Sequence, residues 1–213
     1  MKSFFKFSFL MLIFLGLSSF TYAQNADKIL EELSTKTNSY DNIKASFAYK
    51  MVNKEADINE VTNGTLLVEG DKYNLNIAGQ NVISDGETLW THIPDSEEVQ
   101  INEVLEDEGF SPSKLLSSYN KEYNAQMMED INKEGNVFYQ LKLNPKDENS
   151  NFDYVILVIN KNKMQLADFI IHDFDGNVFS YEIKQFVTDS DIPSNSFKFD
   201  ETEHPNVEVI DMR

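Results

Sequence analysis

The sequence predicts a mainly β fold of the α+β class: one antiparallel meander of eight or more strands with two or three short helices. Three observations carry this. From Ala45 onward apolar residues recur with a period of two, the period at which a strand turns side chains to one face. Turn signals such as Asp85-Gly86 and Asp175-Gly176 recur at short intervals, which favours antiparallel neighbours. Helical spacing is confined to two stretches, and no Gly-, Pro- or Ser-rich linker or internal repeat divides the chain.

At the N-terminus, Lys2 and Lys6 precede the apolar run Phe7 to Leu17 and the small-residue site Thr21-Tyr22-Ala23, the layout of a cleaved export signal. A run of about 11 residues falls well short of the ~20 that a spanning helix needs. Cleavage after Ala23 gives residues 1–23 as signal and 24–213 as a single mature domain, free in the periplasm. The chain has no cysteine, so neither disulfides nor a lipid on its own N-terminal thiol is expected, and the core alone must hold it. Without Lys2 and Lys6, 16 basic residues face 36 acidic ones, a formal charge of −20. Such a surface repels nucleic acid and anionic bilayers.

The first helix is expected over Ala26 to Tyr40, where Ile29, Leu30, Leu33 and Tyr40 make the apolar stripe and Asp27, Glu31 and Glu32 suit the N-terminal dipole. Strands follow at Ala45–Met51, Gly64–Val68 and Tyr73–Ile77, the last two joined by Glu69-Gly70-Asp71-Lys72. Asp85-Gly86 reads as a type I′ turn into Thr88–Thr91, and Pro94-Asp95 leads to Val99–Ile101. Ser111-Pro112 signals a second helix whose stripe is Leu115, Leu116, Tyr119 and Tyr123. Val137–Leu143, Tyr154–Ile159, Leu166–Phe174 and Val178–Val187 give four more strands, with turns at Asn160–Lys163 and Asp175-Gly176. Phe197–Phe199 and Val207–Val209 are candidate edge strands.

A sheet this wide curls, and its concave face must be filled by its own side chains, by helices or by a ligand. The side chains expected on that face are Phe47, Tyr49, Met51, Leu66, Val68, Tyr73, Leu75, Ile77 and Trp90, joined by Phe169, Ile171, Phe179, Tyr181 and Ile183. From the residues alone, a closed core under the helices and a ligand cavity both fit.

Val82-Ile83-Ser84-Asp85-Gly86-Glu87-Thr88-Leu89-Trp90 resembles a segment found in the LolA family of periplasmic outer-membrane lipoprotein carriers, with Glu98-Val99-Gln100 in a matching place. Tyr40 to Phe47 is similar to the family's helix-to-strand junction, Gly64 to Val68 to its second strand, and Phe197–Phe199 and Val207–Ile210 to its closing segment. The resemblance implies an incomplete antiparallel β-barrel with a lid of short helices enclosing an apolar cavity for acyl chains. It implies a monomeric carrier, not an enzyme, that takes the acyl chains of lipidated proteins from an inner-membrane lipoprotein-releasing transporter to an outer-membrane acceptor. A carrier or sensor of a glycolipid or phospholipid is the alternative for the same fold. The arginine-proline pair that follows the second strand in well-known members, whose arginine latches the lid, is replaced by Glu69-Gly70-Asp71, leaving Lys72 or Lys50 to substitute.

No cofactor or metal site is expected. His92, His172 and His204 are scattered, and Asp168, His172, Asp173 and Asp175 read as the polar end of a hairpin. Asp147, Glu148 and Asp153 read as a charged loop, and no phosphate-binding glycine loop or nucleophile elbow occurs.

Overall fold

The computed structural model describes residues 17–104, 123–147 and 150–213. Helix α1 (Leu17–Thr37) leads into thirteen strands: β1 (Ile43–Asn53), β2 (Ile58–Glu69), β3 (Lys72–Ile77), β4 (Gln80–Ser84), β5 (Thr88–Ile93), β6 (Glu98–Glu103), β7 (Tyr123–Met127), β8 (Ile131–Lys133), β9 (Asn136–Pro145), β10 (Tyr154–Asn160), β11 (Gln165–His172), β12 (Asn177–Thr188) and β13 (Glu208–Asp211). All belong to one sheet in the order β13-β6-β5-β4-β3-β2-β1-β12-β11-β10-β9-β7, with β8 also on β9. Neighbours are antiparallel except β13, which runs parallel to β6. The sheet is curved and open, with β13 and β7 as its ends, so it is not a closed barrel. Irregular registers at Ser46/Phe47 on β1 and Val158/Ile159 on β10 supply local bends.

Among the described residues α1 is the one α-helix. Its buried stripe is Ala26, Ile29, Leu30 and Leu33, the i, i+3, i+4, i+7 spacing of a single helical face. That stripe packs on β7 and β11 within the main core, with Leu141, Leu143, Val155, Leu157, Ile159 and Phe169 below it. Lys36 near the helix end donates from Nζ to the Lys163 carbonyl at 2.7 Å, tying α1 to the β10–β11 turn. The helix begins at Leu17, earlier than its stripe predicts, and Tyr40 lies beyond its end. The second predicted helix at Ser111 to Tyr119 falls outside the described residues. Tyr123, placed on that helix's stripe, instead opens β7, where Tyr123, Ala125 and Met127 register with Pro145, Leu143 and Leu141 on β9.

The hairpins show how local chemistry sets strand lengths. Gly70 takes φ 58° at the first position of the β2–β3 turn, as a type II′ turn requires. Ala78-Gly79 and Glu134-Gly135 have positive φ at both positions, the type I′ pattern. Asp85-Gly86 does not: only Gly86 is in that region, at φ 96°. The Asp85 carboxylate accepts from the N–H groups of Glu87 (3.0 Å) and Thr88 (2.7 Å), which stabilises a three-residue connection in place of a type I′ turn. Asp173 likewise accepts from the Asp175 and Asn177 N–H groups at 2.9 and 2.8 Å, closing the β11–β12 turn.

The opposite face of the sheet carries a second, smaller core. Ile83, Trp90, Val99 and Ile101 pack there against Phe199, with Val207 at its margin. Phe197–Phe199 therefore forms no edge strand. Its two rings are buried, and Asn74 Nδ2 donates to the Ser196 carbonyl at 2.8 Å, fastening this return segment to β3. The edge strand forms further along, as β13.

Gly64 on β2 has one specific steric reason. It pairs with Phe47, and a Cβ there would collide with the Phe47 ring and come within 2.8 Å of the Asn76 carbonyl oxygen. Gly64→Ala is predicted to cost about 1–3 kcal/mol in chemical denaturation. Shortening Phe47 to Leu in the same chain should recover part of that loss, a coupling read from the double-mutant cycle.

Candidate apolar binding face

Paired residues in an antiparallel ladder share a face, so the register shows which predicted residues meet. Phe47, Tyr49 and Met51 on β1 pair with Ile183, Tyr181 and Phe179 on β12, and Tyr181 and Phe179 pair with Phe169 and Ile171 on β11. In the other direction Ala45 and Ile43 pair with Leu66 and Val68, which pair with Leu75 and Tyr73 on β3, and Ile77 follows with the same parity. Thirteen of the fourteen predicted residues thus lie on the face that carries α1. Phe47, Val68 and Phe169 are buried, whereas Tyr49, Met51, Leu66, Tyr73, Leu75, Ile77, Ile171, Phe179, Tyr181 and Ile183 are half-buried.

Trp90 is the exception. It pairs with Ile83, which pairs with Asn74, and so it stands back to back with Tyr73 and Leu75 and belongs to the second core. The predicted set also omits residues that extend the face sideways. Leu157 and Val155 continue it onto β10, Leu141 and Leu143 onto β9, and Ala125 and Met127 onto β7. The alternation in Val137–Leu143 and Tyr154–Ile159 holds that information, but only the register assigns it to this face.

The middle of the face is aromatic. Tyr181 is the hub, with ring centroids 5.3 Å from Tyr49, 5.7 Å from Phe47 and 5.8 Å from Phe169. Burial pushes the Tyr181 phenol up to about 12, and the adjacent Tyr49 adds to the shift. Tyr49 is itself raised, first by burial and then by the Glu60 carboxylate, and Tyr73 is raised by burial. All three phenols are therefore neutral across the physiological range. The face offers hydrocarbon, aromatic edges and hydroxyl groups, with the Glu60 carboxylate bordering it opposite Met51.

The other chemistry-bearing residues lie elsewhere. His92 and His204 have ring centroids 4.4 Å apart and sandwich with Phe199 over the second core. Asp168 and His172 are on the same opposite face, His172 stacked on Tyr154 at 4.3 Å, while Asp173 is used by its turn. Burial raises the Asp168 carboxyl, with Lys133 opposing the shift and Glu182 adding to it. No cluster of three or more metal-ligating side chains occurs among the described residues. Of the two latch candidates, Lys72 is paired with Glu69 at 3.1 Å and lies over the Phe197 ring, so it serves the β2–β3 hairpin and the return segment. Lys50 instead lines an open depression at the β1–β2 tip with Asn53, Lys54 and Asp57.

An open antiparallel sheet with a helix across one face and a half-uncovered apolar stripe beside it defines the class of protein. The sequence model of the family described as "Outer membrane lipoprotein carrier protein LolA" matches residues 38–200, and the chain belongs to that family. It is 30% identical over 121 residues to an outer-membrane lipoprotein carrier protein of Methylobacillus flagellatus, covering 56% of this chain and 57% of that protein. A Haemophilus ducreyi protein of the same name is 29% identical over 143 residues, covering 67% and 64%. The chain thus spans less than two thirds of the length of either relative. Among solved structures, an uncharacterized conserved protein from Thermus thermophilus superposes with a TM-score of 0.59 at 11% identity, covering 88% of this chain and 99% of that one, a likeness of fold alone.

Two imidazoles, buried His92 and half-buried His172, give the fold a pH dependence. Burial lowers the affinity of His92 and His172 for a proton, and the neighbouring His204 lowers that of His92 further. The unfolded chain then binds more protons than the folded one below the ordinary histidine value of about 6.5. Stability present above that value is lost as the pH falls through it. The thermal midpoint should drop between pH 7.5 and 5.5, and His92→Gln with His172→Gln should flatten that slope.

Proposed function

We propose that this protein is a periplasmic carrier that holds the acyl chains of lipoproteins against the apolar face of β3, β2, β1, β12 and β11. The observation that carries the reading is the stripe of ten half-buried apolar and aromatic side chains on that face, continuous with the main core but not sealed by it. Moving an acyl chain through water costs about 0.8 kcal/mol per methylene, so ~16 carbons need ~12 kcal/mol of shelter. Phe, Tyr, Leu, Ile and Met side chains supply that without bond-making chemistry, so the reading contains no catalytic step.

In this reading α1 forms part of a lid over a cavity lined by the predicted residues on its own face. Apolar packing that fills the cavity when it is empty must be displaced by the cargo, which lowers net affinity and permits handover. The mature chain, Gln24 to Arg213 after removal of the signal, acts as one domain and as a monomer between an inner-membrane lipoprotein-releasing transporter and an outer-membrane acceptor. Membership of a family described by its carriers supports this assignment.

The test is binding of a fluorescent acyl ester. Leu75→Asp or Phe179→Asp places a carboxylate on the stripe and should weaken binding at least about tenfold. Val61→Asp should leave binding intact, because Val61 pairs with Lys50 on the opposite face and is 67% exposed. Full affinity in a folded Leu75→Asp protein would contradict the proposal.

A further inference from the structure

Two phenols at the centre of the apolar face are polar groups where a pure hydrocarbon cargo would need none. Tyr49 and Tyr181 are direct cross-strand partners on β1 and β12, near the middle of the sheet. Their rings lie 5.3 Å apart and both are half-buried. Neither hydroxyl makes a hydrogen bond among the described residues, in contrast to Tyr40, whose hydroxyl accepts from Gln165 at 3.4 Å. Among the described residues the buried side-chain polar atom without a partner is Asn81 Oδ1, so the two phenol oxygens are not sealed from solvent.

Covering these hydroxyls with methylenes alone would strip them of water and give nothing back, a cost of about 1–3 kcal/mol for each unsatisfied group. A ligand that brings carbonyl oxygens to this spot removes the cost, because a neutral phenol donates through its O–H. The charge nearby narrows the choice. Glu60 stands opposite Met51 on the same face, one pair along from Tyr49, and its field raises the Tyr49 phenol. A free carboxylate would meet Glu60 as a like charge, whereas an ester or amide carbonyl carries no net charge.

We infer that Tyr49 and Tyr181 form a hydrogen-bonding subsite on the carrier face for the neutral carbonyls of acyl ester or amide linkages, so that the protein selects acylated cargo over hydrocarbon chains and free fatty acids. The subsite rests on the carrier reading, and it adds a polar selection step at the centre of an otherwise apolar surface. Its position sets the depth at which a cargo seats. The linkage lies at the aromatic hub, and the chains run outward along Met51, Phe179 and Leu75.

The discriminating probes are a diacylglycerol and its dialkyl ether analogue, identical in chain length and free hydroxyl and differing only in the two carbonyls. Each is measured by displacement of a fluorescent apolar probe. The wild-type protein should prefer the ester by roughly fivefold to tenfold, the effect of one to two neutral hydrogen bonds. In Tyr49→Phe with Tyr181→Phe the ratio should fall to about one, each single variant should lose part of it, and Tyr154→Phe on the opposite face should keep it. Equal binding of ester and ether by the wild type, or a preference that survives in the folded double variant, overturns the subsite and leaves the carrier reading standing. Failure of both lipids to bind overturns the two together.

Discussion

Strands β1 and β12 lie far apart in the chain and side by side near the middle of the sheet, and their register is the constraint on which the rest depends. Pairing Phe47 with Ile183, Tyr49 with Tyr181 and Met51 with Phe179 puts six large side chains on the helix-bearing face. A slip of one residue would turn the three side chains of one strand to the opposite face from those of the other. Asn53 and Asn42 pin this long-range pairing at its two ends. Asn53 Nδ2 donates to the Asp175 carbonyl and to Asn177 Oδ1, and Asn42 exchanges hydrogen bonds with Ser190. Both asparagines are buried, so the loss of either partner would leave a dry amide group.

From that central pair the fold works in two directions. Toward β7 the apolar face is closed by α1, and the residues beneath the helix are among the most completely buried of the described residues. Toward β3 the same face stays half covered, although its side chains are no less apolar. This half-covered apolar surface, continuous with the main core, is where the proposed carrier would receive its cargo. The opposite face is closed at β4–β6 by the return segment carrying Phe199, with the His92–His204 pair at its margin. The two cores thus lie on opposite sides of one sheet, and the half-covered stripe lies between them.

Much of this was legible in the sequence, because alternation fixes the parity of a strand and turn residues fix where strands end. Thirteen of the fourteen predicted face residues share the face for that reason. Trp90 does not, because assigning a face across a hairpin requires an exact count of residues through the turn. The count through Asp85–Glu87 depends on how the Asp85 carboxylate holds the chain, not on the Asp-Gly pair as such. Tyr123 misled for a related reason: a short strand with aromatic and small residues on one side offers too few periods to distinguish from a helix end. The Phe197–Phe199 pair alternates like a strand, but its rings bury on one core patch without laddering, a tertiary outcome that local pattern does not encode.

Where the resemblance implies a latching arginine after β2, this chain has Glu69-Gly70-Asp71, and Lys72 is committed to Glu69 and Phe197; the proposed carrier therefore relies on the face itself and not on a charged clasp. Photocrosslinking with an acyl ester that carries a diazirine near its chain end, followed by peptide mass spectrometry, tests that placement most directly. Adducts are expected on β1, β3 and β12, at residues such as Met51, Leu75 and Phe179. Adducts concentrated around Trp90, Val99 and Phe199 on the opposite face would contradict it.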